Sequence, residues 1–174
     1  MPVKRGKDLT NEIYRALRDL AGMEVVVGIP AEAGTHPDSG LTNAALGYIH
    51  EYGAPEANIP PRPFLFPGIA RIEDKISDEL AKGAARAVEA TVASGNRTAG
   101  KAEGAKVLQR VGLLAQNSVR GVIQEGIAPP LAERTVYARL YRKKNRRSPG
   151  PMTPLIDTGV FLKSITYTVG KKED

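Results

Sequence analysis

Ten of the chain's 13 prolines fall in two stretches, five within residues 55–67 and five within residues 129–154. Proline has a fixed φ and no amide donor, so both stretches are expected to be extended, irregular connections, near residues 53–67 and 128–158. Two such loops are unusual in a chain of 174 residues, and loops of that kind usually serve binding or assembly. The length itself suits one domain, so a single domain over residues 1–174 is expected.

Around the loops the pattern is regular. Leu9, Ile13, Leu17 and Leu20 share one face of a short helix over residues 8–20, with Asp8 or Thr10 as cap and Gly22 as stop. The β-branched run from Met23 to Ile29 reads as a buried strand, and residues 31–40 as a polar loop. Thr42 caps a helix that runs through Tyr52 and closes at Gly53. Ile69, Ile72, Ile76, Leu80, Ala84, Ala87, Val88 and Thr91 then predict one helix from about residue 68 to 93. After a break at residues 94–100, Val107, Val111, Leu114, Ser118, Val122 and Ile123 predict a second, ending at Gly126. A short loop makes the two an antiparallel hairpin. Gly83, Ala84, Ala87, Gly104, Gly112 and Ala115 would let the pair approach closely or leave room for a partner. Ile165, Tyr167 and Val169 alternate with polar residues as a half-buried strand that pairs with the first. The class is therefore α+β: a small β-sheet packed with a long antiparallel helix hairpin, plus two extended Pro-rich loops.

Charge is concentrated. The net +6 arises from seven basic residues between positions 134 and 147 (Arg134, Arg139, Arg142, Lys143, Lys144, Arg146 and Arg147), where no acidic residue falls; elsewhere 18 basic residues face 19 acidic ones. The chain is a neutral domain with a basic strap. Tyr137 and Tyr141 interleave with the strap, a composition suited to gripping a phosphate backbone without sequence preference. A solvated loop, or one pairing with an acidic neighbour, is the plainer reading. The absence of Cys excludes disulfides, thiolate catalysis, iron–sulfur clusters and cysteine-ligated zinc, and fits a reducing cytoplasm. The start is charged rather than apolar, so no secretion leader is expected, and no apolar run is long enough to span a membrane.

Catalytic strings are weak. Ile156-Asp157-Thr158-Gly159 has the form of an aspartic-protease motif, but one copy demands a dimer, and only 15 residues follow Gly159. A turn in which Asp157 or Thr158 caps and Gly159 takes a positive φ explains the string better. His36-Pro37-Asp38-Ser39 is a polar loop rather than a triad, which is assembled in space. His50-Glu51 lacks metal-ligand spacing, and the glycines at Gly28 and Gly34 match no phosphate-binding pattern, so neither metal nor cofactor is expected.

A sequence of short strings carries more. Val27-Gly28-Ile29 is followed by Ala44-Ala45-Leu46-Gly47-Tyr48-Ile49-His50-Glu51-Tyr52-Gly53, then Ile59-Pro60-Pro61-Arg62-Pro63-Phe64-Leu65. Pro129-Pro130-Leu131-Ala132 with Thr135 comes next, then Pro154-Leu155-Ile156-Asp157-Thr158-Gly159 and Leu162-Lys163-Ser164-Ile165. In that order, over about residues 23–170, they resemble the neck and tail-completion proteins of tailed bacteriophages, the head–tail joining or virion morphogenesis family. The resemblance implies a structural protein without enzymatic activity. It implies a homo-oligomeric ring in the virion neck, assembled in the bacterial host cytoplasm. Its partners would be the portal or connector and the tail-tube or tail-terminator proteins. On this resemblance Pro61, Arg62, Pro63 and Phe64 form a rigid arm with Phe64 and Phe66 as anchors, and Asp157, Thr158 and Gly159 shape a turn before the last strand. The run over residues 143–147 and the loop over residues 31–40 are not parts of the family pattern; on their charge alone, Arg139, Arg142, Lys143, Lys144, Arg146 and Arg147 would face packaged DNA or an acidic partner.

Overall fold

The computed structural model describes residues 7–36, 39–141 and 152–172; the string at residues 37–38 and the strap residues from 142 onward lie outside them. Among the described residues the chain is mixed helix and sheet: seven α-helices and one two-stranded antiparallel sheet. It divides into two compact units, Met1–Val26 with Glu73–Leu114 and Tyr167–Asp174, and Val27–Ile72 with Ala115–Thr166. No described helix is long and apolar enough to cross a membrane.

The first unit holds α1 (Thr10–Ala21), α4 (Glu73–Ser94), the first part of α5 (Arg97–Glu125) and most of strands β1 (Met23–Gly28) and β2 (Thr166–Lys171). The cap position of α1 is Leu9, without a side-chain bond, rather than Asp8 or Thr10; Asp8 Oδ1 accepts from the Thr10 amide at 2.9 Å, and Gly22 ends the helix. Thr91 on α4 is fully buried and its hydroxyl donates back to Ala87 O at 2.8 Å. Along α4 and α5, Glu79 meets Arg110, Gly83 meets Val107 and Thr91 meets Gly100, so the two long helices pack antiparallel. A methyl group at Gly83 would overlap the Val107 side chain, and one at Gly112 the Tyr167 ring. The small residues are what allow these backbones to close. The break between the long helices is shorter than the pattern suggests. Gly95 takes φ +67°, and Asn96 Oδ1 accepts from the Thr98 amide at 2.6 Å, so α5 begins at Arg97.

The second unit contains α2 (Asn43–Tyr52), α3 (Leu65–Ala70), the last turns of α5, α6 (Glu133–Leu140) and α7 (Val160–Ser164). Thr42 Oγ1 accepts from the Ala45 amide at 3.1 Å, and Gly53 closes α2 with φ +78°. The core is Phe64, Val119, Ile123, Phe161 and Ile165. Phe64 and Phe161 meet edge to face with centroids 5.5 Å apart, a favoured aromatic geometry.

Several expectations change here: β1 is half-buried, with Val26 exposed, rather than buried, and the first Pro-rich stretch holds a 3-10 turn at Pro55–Ala57 and the start of α3. The helix expected over residues 68–93 is interrupted: α3 ends at Ala70, Ile72 N bonds back to Ile69 O at 3.0 Å, and α4 starts at Glu73 with Glu73 and Asp74 in its first turn. The apolar spacing runs smoothly through the interruption and does not reveal it. The second Pro-rich stretch is also not wholly irregular, because the proline-free window Glu133–Leu140 folds as α6.

Candidate functional site

Four of the strings that carry the resemblance (within residues 44–53, 59–65, 129–135 and 154–159) come together in the second unit, around one cavity of about 370 Å³. His50 and Leu46 on α2, Ile59, Pro60 and Arg62 on the arm, Arg139 on α6 and Asp157, Thr158 and Gly159 before α7 all line it.

The arm is fixed from both sides by charged groups bonded to backbone. The Arg62 amide donates to His50 O at 2.6 Å. Its side chain is buried, with Nε donating to Pro129 O at 2.8 Å and Nη2 to Pro130 O at 2.9 Å. One guanidinium thus ties the two Pro-rich stretches to each other. Just beyond it, the Glu51 carboxylate accepts from the amides of Phe64, Leu65 and Phe66 at 2.8, 3.0 and 3.2 Å. These are the orphan donors at the start of α3, so Glu51 caps that helix from a distant segment and places its negative charge at the positive end of the helix. Pro67, in the first turn of α3, lacks the donor that Glu51 would otherwise have to meet.

Two more guanidiniums do the same work elsewhere in the unit. Arg71 donates from Nε to Ser118 Oγ and from Nη2 to Ser118 O, both at 2.8 Å, while Ser118 Oγ donates to Gly68 O at 2.6 Å. Arg120 Nη2 reaches Ile165 O at 2.7 Å.

Most of the residues singled out in the sequence now have a position. Pro61 and Pro63 are exposed, Arg62 and Phe64 are buried, and Phe66 points outward with 77% of its surface exposed. Gly159 takes φ +79° at the start of α7, and the Thr158 hydroxyl accepts from Val160 N at 3.4 Å. The positive-φ turn read from the sequence is present, leading into α7 and then β2. Asp157 stands on the cavity wall. Arg139 is buried, and its Nη1 donates to Thr153 O at 3.2 Å and to Ile156 O at 2.8 Å, so this member of the strap ties α6 to the turn. Arg134 lines the cavity, whereas Arg142, Lys143, Lys144, Arg146 and Arg147 lie outside the described residues.

His50 was not marked as a site residue by its spacing. It packs edge-on against Phe161 at 5.6 Å, and its Nδ1 is buried without a hydrogen-bond partner among the described residues. Burial, reinforced by the charges of Arg62 and His36, lowers its pKa to about 4, so the ring is neutral at neutral pH. Among the described residues no group of three or more His, Asp or Glu is placed to hold a metal. No protein-family model, curated protein or solved structure matches the chain.

Proposed function

We propose that the chain is a structural subunit of the neck of a tailed bacteriophage, forming a homo-oligomeric ring that joins the head or connector to the tail. The observation that carries the reading is the convergence of four of the resembling strings on one cavity, whose lining residues Arg62 and Arg139 bond to backbone, as Glu51 does at the start of α3. Those charges position loops rather than await a substrate, as in a scaffold that presents rigid arms. The exposed aromatics agree with an assembly surface: Phe66 on α3, and Tyr48 and Tyr52 on α2, each 68% exposed with rings 4.9 Å apart. Tyr and Phe are enriched at protein interfaces.

The finer fold reading, a small sheet packed with the helix hairpin, belongs to the same proposal. Tyr167 of β2 against Gly112 of α5 supports it. On this reading the partners are portal or connector and tail-tube or tail-terminator proteins, and the protein resides in the virion.

Native mass measurement of the purified chain is expected to give a closed ring of identical subunits, alone or on its partner, and loss of the gene to give unjoined heads and tails. A strict monomer that is absent from purified particles overturns the proposal. Phe66→Ser is expected to abolish the ring while leaving the circular dichroism unchanged.

The second reading is a non-specific nucleic-acid-binding protein using the strap. Tyr137 and Tyr141 favour it: both are about two-thirds exposed, with centroids 4.4 Å apart, beside the basic run. Neutralising Arg142, Lys143, Lys144, Arg146 and Arg147 without any loss of DNA binding would remove it.

A further inference from the structure

The first unit contains a second concentration of positive charge that the strap does not explain. An open cavity of about 350 Å³ is lined by Arg15 and Arg18 of α1, Arg97 and Lys101 of α5, and Lys171 of β2. One carboxylate, Asp19, stands among these five cations. It faces Arg97 at 3.9 Å, which leaves an excess of four positive charges on a single face.

Helix electrostatics make the arrangement costly on its own. The positive end of a helix dipole favours acidic side chains in the first turn, and α4 has Glu73 and Asp74 there. The 29-residue α5 has no acidic residue in its first turn and begins with Arg97, with Lys101 one turn further on. A cation thus stands where an anion is preferred. Arg18, by contrast, lies in the last turn of α1, where a cation is favourable for the helix itself. An anion in the cavity relieves the repulsion among the five side chains, Arg97 at the start of α5 among them.

We infer that this cleft binds the phosphodiester backbone of nucleic acid without sequence preference. All five cations are exposed and come from three separate elements. Solvated side chains spread in this way gain little from one small ion. They gain more from a linear polyanion, because each neutralised phosphate releases a condensed counterion. A flexible acidic peptide lacks that dense counterion atmosphere and offers a weaker reward. The inference stands apart from the assembly reading and from the strap, since it uses other residues in the other unit.

The test uses the full chain and a labelled duplex of random sequence, with binding followed by fluorescence anisotropy from 50 to 200 mM salt, a range over which phosphate contacts dominate. Arg15→Gln, Arg18→Gln, Lys101→Gln and Lys171→Gln are combined, leaving Arg97 to face Asp19. The combined variant is expected to bind about tenfold or more weakly at low salt. Its log–log salt slope should flatten by roughly 0.9 for each lost phosphate contact. A variant with Arg18→Lys and Lys101→Arg, which keeps the charge, is expected to retain binding and separates charge loss from misfolding. Neutralising the strap alone should leave the contribution of the cleft in place. Unchanged affinity and slope in the folded combined variant overturn the inference. So does polyglutamate competing as well as DNA per charge, or inorganic phosphate saturating the cleft while the duplex does not bind.

Discussion

In the first unit backbones come together where side chains are missing, Gly83 beneath Val107 and Gly112 beneath the Tyr167 ring. In the second they are tied together by long charged side chains: Arg62 to Pro129 and Pro130, Arg139 to Thr153 and Ile156, and Glu51 to three successive amides. The difference follows from the local sequence. Helices satisfy their own backbone groups and need only a close fit, whereas Pro-rich segments leave carbonyls and amides that must find partners elsewhere. Guanidinium and carboxylate groups meet several such partners at once, with charge-assisted bonds. Basic residues therefore serve two ends here, as internal ties in one unit and as an open cationic cleft in the other.

Substitutions that act on one unit test this contrast, and hydrogen exchange reads each unit's amides separately. The largest effect is expected from Phe64→Ala, which empties the centre of the second core and costs about 3–5 kcal/mol in chemical denaturation. Glu51→Ala comes next. It leaves three amides at the start of α3 without their acceptor, at a cost of about 2–3 kcal/mol. Glu51→Gln is expected to recover part of that, because one oxygen remains to accept. In both Glu51 variants protection should fall first at Phe64, Leu65 and Phe66. Equal loss of protection throughout the chain would mean that the cap is not local to its unit.

The parts of the fold that were legible are those whose cause is local. Thr42 and Gly53 bound α2 as their side chains and φ angles dictate, and Gly159 takes its positive φ where the turn requires it. The antiparallel long helices follow from apolar spacing and a short Gly-containing loop. What was not legible depends on contacts distant in sequence. Arg62 and Pro129 are 67 positions apart, and no periodicity connects them. The interruption at Arg71 and Ile72 escapes notice because Ile69, Ile72 and Ile76 keep helical spacing through it, while Glu51 sets the start of α3 from 14 positions before Leu65. Proline content on either side of α6 likewise conceals eight residues that are free to form a helix. At the candidate site the arm and the turn were legible as separate strings. Their meeting at one cavity was not.

Intermediate effects sharpen the contrast. Gly83→Ala adds a methyl group where Val107 already lies 2.5 Å from the position it would occupy, so about 1–3 kcal/mol should be lost, with exchange rising in α4 and the facing part of α5. If Gly83→Ala is instead stabilising through its helix propensity, the close approach is not tight. His50 makes the second unit sensitive to acid. Its pKa is lowered from 6.5 to about 4, so the unfolded chain binds this proton first as pH falls. Stability attributable to the ring is complete above about pH 6.5 and declines toward pH 4, by at most about 2 kcal/mol after allowance for partial exposure. His50→Leu should flatten that portion of the pH dependence between pH 7 and 4.5, and an unaltered slope would show that the acid sensitivity arises elsewhere.

The smallest effect is expected from a charge that ties no backbone. Glu79 accepts from Arg110 Nη1 at 3.0 Å and lies 3.8 Å from Arg86, and these partners hold its carboxyl below the usual pKa. The group is solvated, so the interaction is screened and opposed by the entropy of holding long side chains in place. Glu79→Gln should therefore leave the melting temperature within error of the parent chain at 0.5 M salt, with a small loss visible only at low salt. Arg62→Gln supplies the counterpart. It also removes a single charge, yet leaves the Pro129 and Pro130 carbonyls without their donor, and its effect should persist at high salt. Equal salt sensitivity in the two variants would mean that the buried guanidinium acts through long-range charge rather than through its hydrogen bonds, and the contrast between the units would then rest on packing alone.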